Sequence, residues 1–419
     1  MKITNLRTER NNSRARIAAT VTWEDCERPS HDVYFETEAH FADFSFCNPD
    51  AFLLACAIPA MHYGERRVMV EGGICPGLRD GVATALGWLR LWFSPDSEPL
   101  RIDGPTRAEG PALGRPDRAG FMFSGGIDSF SMLRLNRLNF PAAHPWSMRD
   151  GLVVFGLELD DPGAFSYVVK SLSEVADAAN ITLIPVITNL YLHYRNEDAK
   201  NHFAFWYNKF MGAGLAAVGH ALVERLSIVS ISADYDIPNQ RPHGSHPLLD
   251  PSYSSAALQV RHENLTLSRF ERTKLVGEWD VALQHLRVCN QYKSYRPDSL
   301  NCGRCEKCFR TMLSLAALGL LHKTRAFPHH DITEDLVHST LKLRHSVAPM
   351  YRELIAPLVE QGRSDLARAV ERKLSEYRKS SKMEKWREAL KRIDRDYAGG
   401  NLKRLKALVS GDRGSPRTT

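Results

Sequence analysis

Two hydrophobic periodicities divide this chain. Apolar and polar residues alternate over Ala15–Trp23 and again over His31–Thr37, the two-residue period of antiparallel strands with one buried face. A helical period follows from Pro49-Asp50 through Met61, then a strand near Arg67–Val70 and an amphipathic helix from Pro76 to Phe93, with Pro76 in its first turn. The stretch from Asp103 to Pro111 reads as a linker. Beyond it, short apolar runs at Gly120–Phe123, Leu152–Leu157, Thr182–Val186 and Leu226–Ser232 are separated by helical segments, among them Tyr167–Asn180 and Phe205–Val223. Such alternation predicts a doubly wound parallel sheet, whose ligands bind beyond the C-terminal ends of the strands. From Phe309 the pattern is helical: Phe309–Leu321, Ile332–Leu343, Val347–Gln361, Ser364–Ser380 and Met383–Tyr397. Gly362 and Gly399-Gly400 are its stop signals, and Gly411–Thr419 reads as a disordered tail. The expected architecture is α/β, with an accessory α+β region over 1–115, a parallel-sheet domain over 116–318 and a helical region over 319–419.

The 43% hydrophobic and 25% charged fractions are those of an ordinary globular protein. No run of 18 apolar residues and no signal-peptide h-region is present, so a cytoplasmic protein with no membrane partner is expected. The net charge of +6 is uneven: residues 320–419 hold 22 Lys/Arg against 13 Asp/Glu, and the rest hold 33 against 36. The basic region is a candidate surface for nucleic acid or an acidic protein. Its interspersed acids and few aromatics fit a solvated helical surface as well.

Candidate chemistry concentrates in two places. The first is Gly120-Phe-Met-Phe-Ser124-Gly125-Gly126-Ile127-Asp128-Ser129, an apolar strand running into a glycine-rich turn and a helix start. Glycines let the backbone approach an anion's oxygens, and the free N–H groups of a helix N-terminus point at them. Ser124 and Ser129 add hydroxyl donors, and Asp128 is a candidate magnesium ligand. The loop lacks the lysine of a Walker A sequence. The second is Cys289 followed by Cys302, Cys305 and Cys308. Two overlapping Cys-x-x-Cys steps and an upstream thiol supply the four soft ligands of a closed, structural zinc site. A redox pair and an iron–sulfur cluster are the alternatives for the same spacing. Cys26, Cys47, Cys56 and Cys75 are dispersed and read as reduced, partly buried thiols.

The loop Ser124-Gly125-Gly126-Ile127-Asp128-Ser129 resembles the Ser-Gly-Gly-x-Asp-Ser loop of the PP-loop ATP pyrophosphatases. With the four cysteines downstream and Thr273-Lys274 between, residues 116–318 resemble the 7-cyano-7-deazaguanine synthase branch. The resemblance implies an adenine nucleotide alpha hydrolase-like fold, ATP gripped by residues 124–129, Mg2+, and Zn2+ on the cysteines. It further implies adenylation of a carboxylate such as 7-carboxy-7-deazaguanine, with AMP and pyrophosphate released, followed by attack of ammonia or an amine. Asp128 and Lys274 are the catalytic candidates this implies, and a homodimer is expected. Relatives with extra flanking domains occur in anti-phage defence operons, an arrangement the flanking regions here resemble.

The chain departs from that branch around the substrate. Phe155–Pro162 and Arg241–Pro251 replace its usual substrate segments, and the first cysteine spacing is longer. Rival readings are deazaguanine conjugation to protein or DNA, tRNA thiolation, and a zinc-stabilised nucleic-acid-binding module. Asp160, Asp161, Asp234, His243 and His246 near strand ends are further polar candidates, each with a plain capping or surface role as its alternative.

Overall fold

In the computed structural model, residues 1–41, 46–108, 117–193 and 204–397 are described, with side chains through Met383. The end of the expected linker (109–111), the Gly399-Gly400 stop and the 411–419 tail lie outside the described residues. The fold is α/β, built on one sheet of ten strands. The strands are β1 (Lys2–Arg10), β2 (Arg14–Thr22), β3 (His31–Glu38), β4 (Arg67–Val70), β5 (Arg101–Asp103), β6 (Ala119–Met122), β7 (Met148–Phe155), β8 (Thr182–Thr188), β9 (Ile228–Ser232) and β10 (Gln259–Glu263). Their order is β10-β9-β6-β7-β8-β3-β2-β1-β4-β5. The first five are mutually parallel, β8 to β1 pair antiparallel, and β4 and β5 return parallel to β1.

The accessory strands and the parallel core therefore share one sheet across residue 115. They belong to a single compact unit, Met1–Asp331, and Ile332–Thr419 forms a second. The join is β3 against β8, where Phe35 and Glu36 pair with Thr188 and Ile187. It is reinforced by Thr188 Oγ1 donating to the Tyr34 carbonyl at 2.7 Å and by Asn189 Nδ2 donating to the Asp32 carbonyl at 2.7 Å. Strands β1, β5 and β10 were not marked by alternation. β10 reads Gln-Val-Arg-His-Glu, an edge strand with one apolar residue fully buried.

Within the unit, α1 (Pro49–His62), α2 (Pro76–Phe93), α3 (Ile127–Asn139), α4 (Pro162–Ala179), α5 (Met211–Ala221), α6 (Arg269–Gly277), α7 (Asp280–Gln284) and α8 (Glu306–Ala317) follow in chain order. Chain order runs β6, β7, β8 in one direction and then returns to set β9 and β10 beyond β6. Right-handed crossovers then put α3 and α4 on one face of the sheet and α5 on the other. Side chains agree. Met122, Leu152, Ile184 and Val229 join a core shared with α1, α2 and α5. Phe121, Phe123 and Phe130 stack on one another, with centroids 5.1 and 5.6 Å apart, and so anchor β6 to the first turn of α3. The order reverses between β6 and β9, and a doubly wound sheet binds its ligand at that point.

The second unit is helical, with α9 (Glu334–Thr340), α10 (Ala348–Arg352), α11 (Ile355–Glu360) and α12 (Ser364–Tyr397). The run expected over 347–361 is two short helices, and the two expected over 364–397 are one. Tyr351, Leu354, Leu358, Leu366, Val370 and Leu374 are among its buried apolar residues. No helix among the described residues is long and apolar enough to cross a membrane.

The N-terminal ends of the core strands are tied by Asp150 on β7, which is fully buried. It receives Arg118 Nε at 2.6 Å and Arg225 Nε at 2.8 Å, and each guanidinium reaches its other oxygen through Nη2. Burial raises the Asp150 carboxyl pKa, and the two guanidinium groups overcome it, holding the folded value below the ordinary 3.8. A depressed folded pKa gives stability that is complete above the unfolded value and is lost as pH falls through the folded one. The urea midpoint should therefore fall as pH drops below about 4. Asp150→Ala should cost about 3 kcal/mol at neutral pH and flatten that dependence. An unchanged midpoint at neutral pH would show that the triad contributes nothing.

Candidate functional site

The glycine loop leaves β6 at the reversal point. Gly125 has φ +78°, a left-handed conformation that strains any residue with a Cβ by roughly 1–2 kcal/mol. A Cβ there would also lie 3.0 Å from Leu172 Cδ2. Gly126 is the N-cap of α3, and no side chain caps that helix start, so its first N–H groups are open to an anion. Ser124 Oγ accepts from Gly126 N at 3.4 Å and donates to Ser129 Oγ at 3.3 Å, and Ser129 Oγ donates to the Gly126 carbonyl at 3.2 Å. The two hydroxyls expected from the sequence are thus on one turn. Ile127 is fully buried and serves packing.

Asp128 is not an open metal ligand. Its Oδ2 accepts from Arg269 Nη1 at 2.5 Å and its Oδ1 from Arg272 Nη1 at 2.8 Å. Burial raises its pKa, but the two guanidinium charges outweigh that and hold it at about 2. Magnesium at this carboxylate, as expected from sequence, would meet two fixed positive charges on the same oxygens. Both arginines lie on α6, whose start is fixed by a capping box between Ser268 and Glu271. Arg310 on α8, 8% exposed and 3.6 Å from the Glu306 carboxylate, adds a charge felt by Arg269. Two guanidinium groups hold one loop aspartate with a third near Arg269, and Arg269 Nε is buried without a hydrogen-bond partner. The excess positive charge beside open helix N–H groups suits a polyanion.

Lys274 sits on the same helix but is exposed. It lies about 200° around the helix from Arg272, so the structure does not bring it to Asp128. Arg272 stands two residues before Lys274 and Arg269 one turn earlier, and helical phase selects these arginines.

Arg287 joins the loop to the cysteines. Its N–H donates to the Gly125 carbonyl at 2.8 Å and its Nη1 to the Ser124 carbonyl at 3.1 Å. Its Nε donates to Tyr295 Oη at 2.8 Å, and that hydroxyl donates to the Cys289 carbonyl. The sulfurs of Cys289, Cys302, Cys305 and Cys308 lie within 4.8 Å of one another, with Cys289–Cys305 at 3.8 Å and Cys302–Cys308 at 4.0 Å. Four sulfurs about 2.3 Å from a tetrahedral zinc are roughly 3.8 Å apart, so the set fits a single thiophilic ion such as zinc. A multi-iron cluster would carry its thiolates on the outside of a larger body. Backbone N–H groups of Cys305, Cys308 and Gln291 donate to Cys302, Cys305 and Cys289 sulfurs. Gly303, at φ +70°, makes the turn, and a Cβ there would lie 2.6 Å from Pro328. Asn301 fastens the two cysteine segments by accepting from Val288 and Cys289 N–H and donating to the Leu286 and Ala326 carbonyls.

The other candidates separate. Asp161 is the N-cap of α4, accepting from Ala164 N at 2.7 Å, a structural role, and Asp160 beside it is half-buried. His246 belongs to a knot around fully buried Asp250, with Ser245 Oγ at 2.6 Å and His262 Nδ1 at 2.8 Å from that carboxylate. Asp234 and His243 come together, Oδ2 to Nε2 at 3.3 Å. Comparison with protein-family models, curated proteins and solved structures gives no match to this chain.

Purified chain should hold about one zinc per molecule, and Cys302→Ser with Cys308→Ser should abolish it. Elemental analysis measures this directly, and a metal-free wild type that is fully folded would refute the assignment. Gly125→Ala should lower stability by about 1–2 kcal/mol with zinc content unchanged, as read by urea denaturation and metal analysis.

Proposed function

We propose that this chain is an ATP-dependent, AMP-forming enzyme that activates a carboxylate and passes it to a nitrogen nucleophile. The observation that carries this reading is the Ser124–Ser129 loop at the reversal between β6 and β9, with open helix N–H groups and the two arginines of α6 on its aspartate. The β,γ-phosphates of ATP would lie on the loop, held by backbone N–H groups, Ser124 and Ser129. A substrate carboxylate attacks the α-phosphorus, and pyrophosphate leaves with charge that Arg269, Arg272 and Arg310 neutralise. The nitrogen nucleophile then displaces AMP. The protein acts by placement and charge neutralisation, with no covalent intermediate on a side chain. Zinc, where bound, supplies a closed structural shell, and the cysteines hold Arg287 against the loop. The resemblance to the deazaguanine branch makes 7-carboxy-7-deazaguanine the first carboxylate to try, with ammonia as donor. The basic C-terminal region is the proposed face for a macromolecular partner.

Incubation with ATP, magnesium, 7-carboxy-7-deazaguanine and ammonium should release AMP and pyrophosphate in equal amounts. Arg269→Gln should lower kcat/KM by about 100-fold with zinc content and the urea midpoint retained. Release of ADP and phosphate in place of AMP would overturn the adenylation reading.

A further inference from the structure

Asp234 and His243 stand at the C-terminal end of the sheet, one step from the glycine loop. The carbonyl of Ala233, next to Asp234, accepts from Arg272, the residue that grips Asp128, and Ser232 Oγ donates to the Asp128 carbonyl at 3.0 Å. His243 is 1% exposed. Its Nδ1 lies 2.9 Å from the Ser245 carbonyl oxygen and 3.3 Å from the Ser245 N–H, and the shorter contact, to the oxygen, favours the tautomer with the proton on Nδ1. In the neutral ring Nε2 is then a bare lone pair. It has no hydrogen-bond partner, although the Asp234 carboxylate is 3.3 Å away. In that tautomer two acceptors, 3.3 Å apart, face the same side of the strand ends.

The walls favour a cation. The Tyr207 ring meets His243 edge-on with centroids 4.1 Å apart, and Tyr235 does so at 5.7 Å. Their hydroxyls are 3.0 Å apart, and burial keeps both phenols neutral. Arg241 already lies over the Tyr235 ring at 5.1 Å. Aromatic faces beside a carboxylate attract ammonium groups. Tyr207 is carried by a single π-helical turn, Trp206–Phe210, leading into α5, a distortion frequent at functional sites. The same turn sets Trp206 Nε1 2.9 Å from the Glu158 carboxylate. Positive charge thus gathers at the loop and negative charge beyond β7 and β9.

We propose that Asp234 and His243 seat the nitrogen nucleophile, an ammonium ion or primary amine, with His243 Nε2 as the base that takes its proton. This rests on the adenylation reading above. The nitrogen donates one N–H to Nε2 and another to Asp234 Oδ2. Nε2 accepts a proton, and the freed lone pair forms the C–N bond at the acyl carbon of the acyl-adenylate. The C–O bond to the phosphate breaks, its electron pair leaves with AMP, the imidazolium releases its proton to solvent, and the newly acylated nitrogen loses a second proton to solvent to give the neutral amide. A donor with two N–H groups satisfies both acceptors at once, which a hydroxyl cannot do.

Two measurements on the full-length protein test this. The first follows the His243 imidazole nitrogens by NMR, identified by their loss in His243→Gln, during titration with methylammonium and separately with tetramethylammonium, which has no N–H. A saturable shift with methylammonium alone, absent in Asp234→Asn, is expected. No such shift, or the same shift with both ions, overturns the inference whatever the ATP chemistry. The second compares carboxylate-dependent exchange of labelled pyrophosphate into ATP with ammonium-dependent AMP release, using 7-carboxy-7-deazaguanine. His243→Gln should leave exchange within about threefold and lower AMP release by about 100-fold or more, and Asp234→Asn should raise the KM for ammonium. Equal loss of both reactions, or of neither, assigns His243 a structural role and overturns the inference. A wild type that responds to methylammonium but shows no exchange sinks the adenylation reading and leaves the amine site standing.

Discussion

A guanidinium withdrawn from water must have its donors met, and Arg272 meets that demand by collecting four separate stretches of chain. It is 1% exposed, yet it bonds Asp128 in the loop, the Ala233 carbonyl after β9, the Asn264 carbonyl after β10 and the Leu267 carbonyl before α6. An unmet buried charge costs several kcal/mol, so these segments hold one relative arrangement. The loop, the strand ends and the helix that brings Arg269 are thereby fixed together.

The cysteines extend the same logic. Metal-thiolate bonds order the 289–308 segment only when the four sulfurs converge, and the segment that leads into them carries Arg287 onto the carbonyls of Ser124 and Gly125. Those two carbonyls belong to the residues in the tightest part of the turn. The four-cysteine cluster and the glycine loop are thus two ends of one short hydrogen-bonded path through Arg287 and Tyr295.

What the sequence revealed follows from where each constraint is written. The turn at Gly125 and the cysteine spacing are local: the backbone conformation or the single ion demands particular residues at adjacent positions, so both were legible. The partners of Asp128 lie 141 and 144 residues away, and no spacing rule connects them. Lys274 is what the family resemblance singles out, whereas the phase of α6 turns it outward and turns Arg269 and Arg272 inward. Alternation identified β2 and β3, but the pairing of β3 with β8 spans only two residues on each side and leaves no periodic trace. Asn301 and Arg287 carry ordinary composition, and only the folded path shows what they fasten.

That short pairing has a further meaning for the chain as a whole. Without β3, strand β8 would be a bare edge of a parallel sheet, with unpaired N–H and C=O groups ready to template another chain. The wall of α1, whose residues from Asp50 to Ala60 are all buried, would leave the apolar side of α5 wet. The first hundred residues are thus a solubility device for the half that carries the loop. The two halves cannot be exchanged as cassettes, and a natural or engineered shortening at residue 115 would leave the parallel core with a bare, aggregation-prone edge.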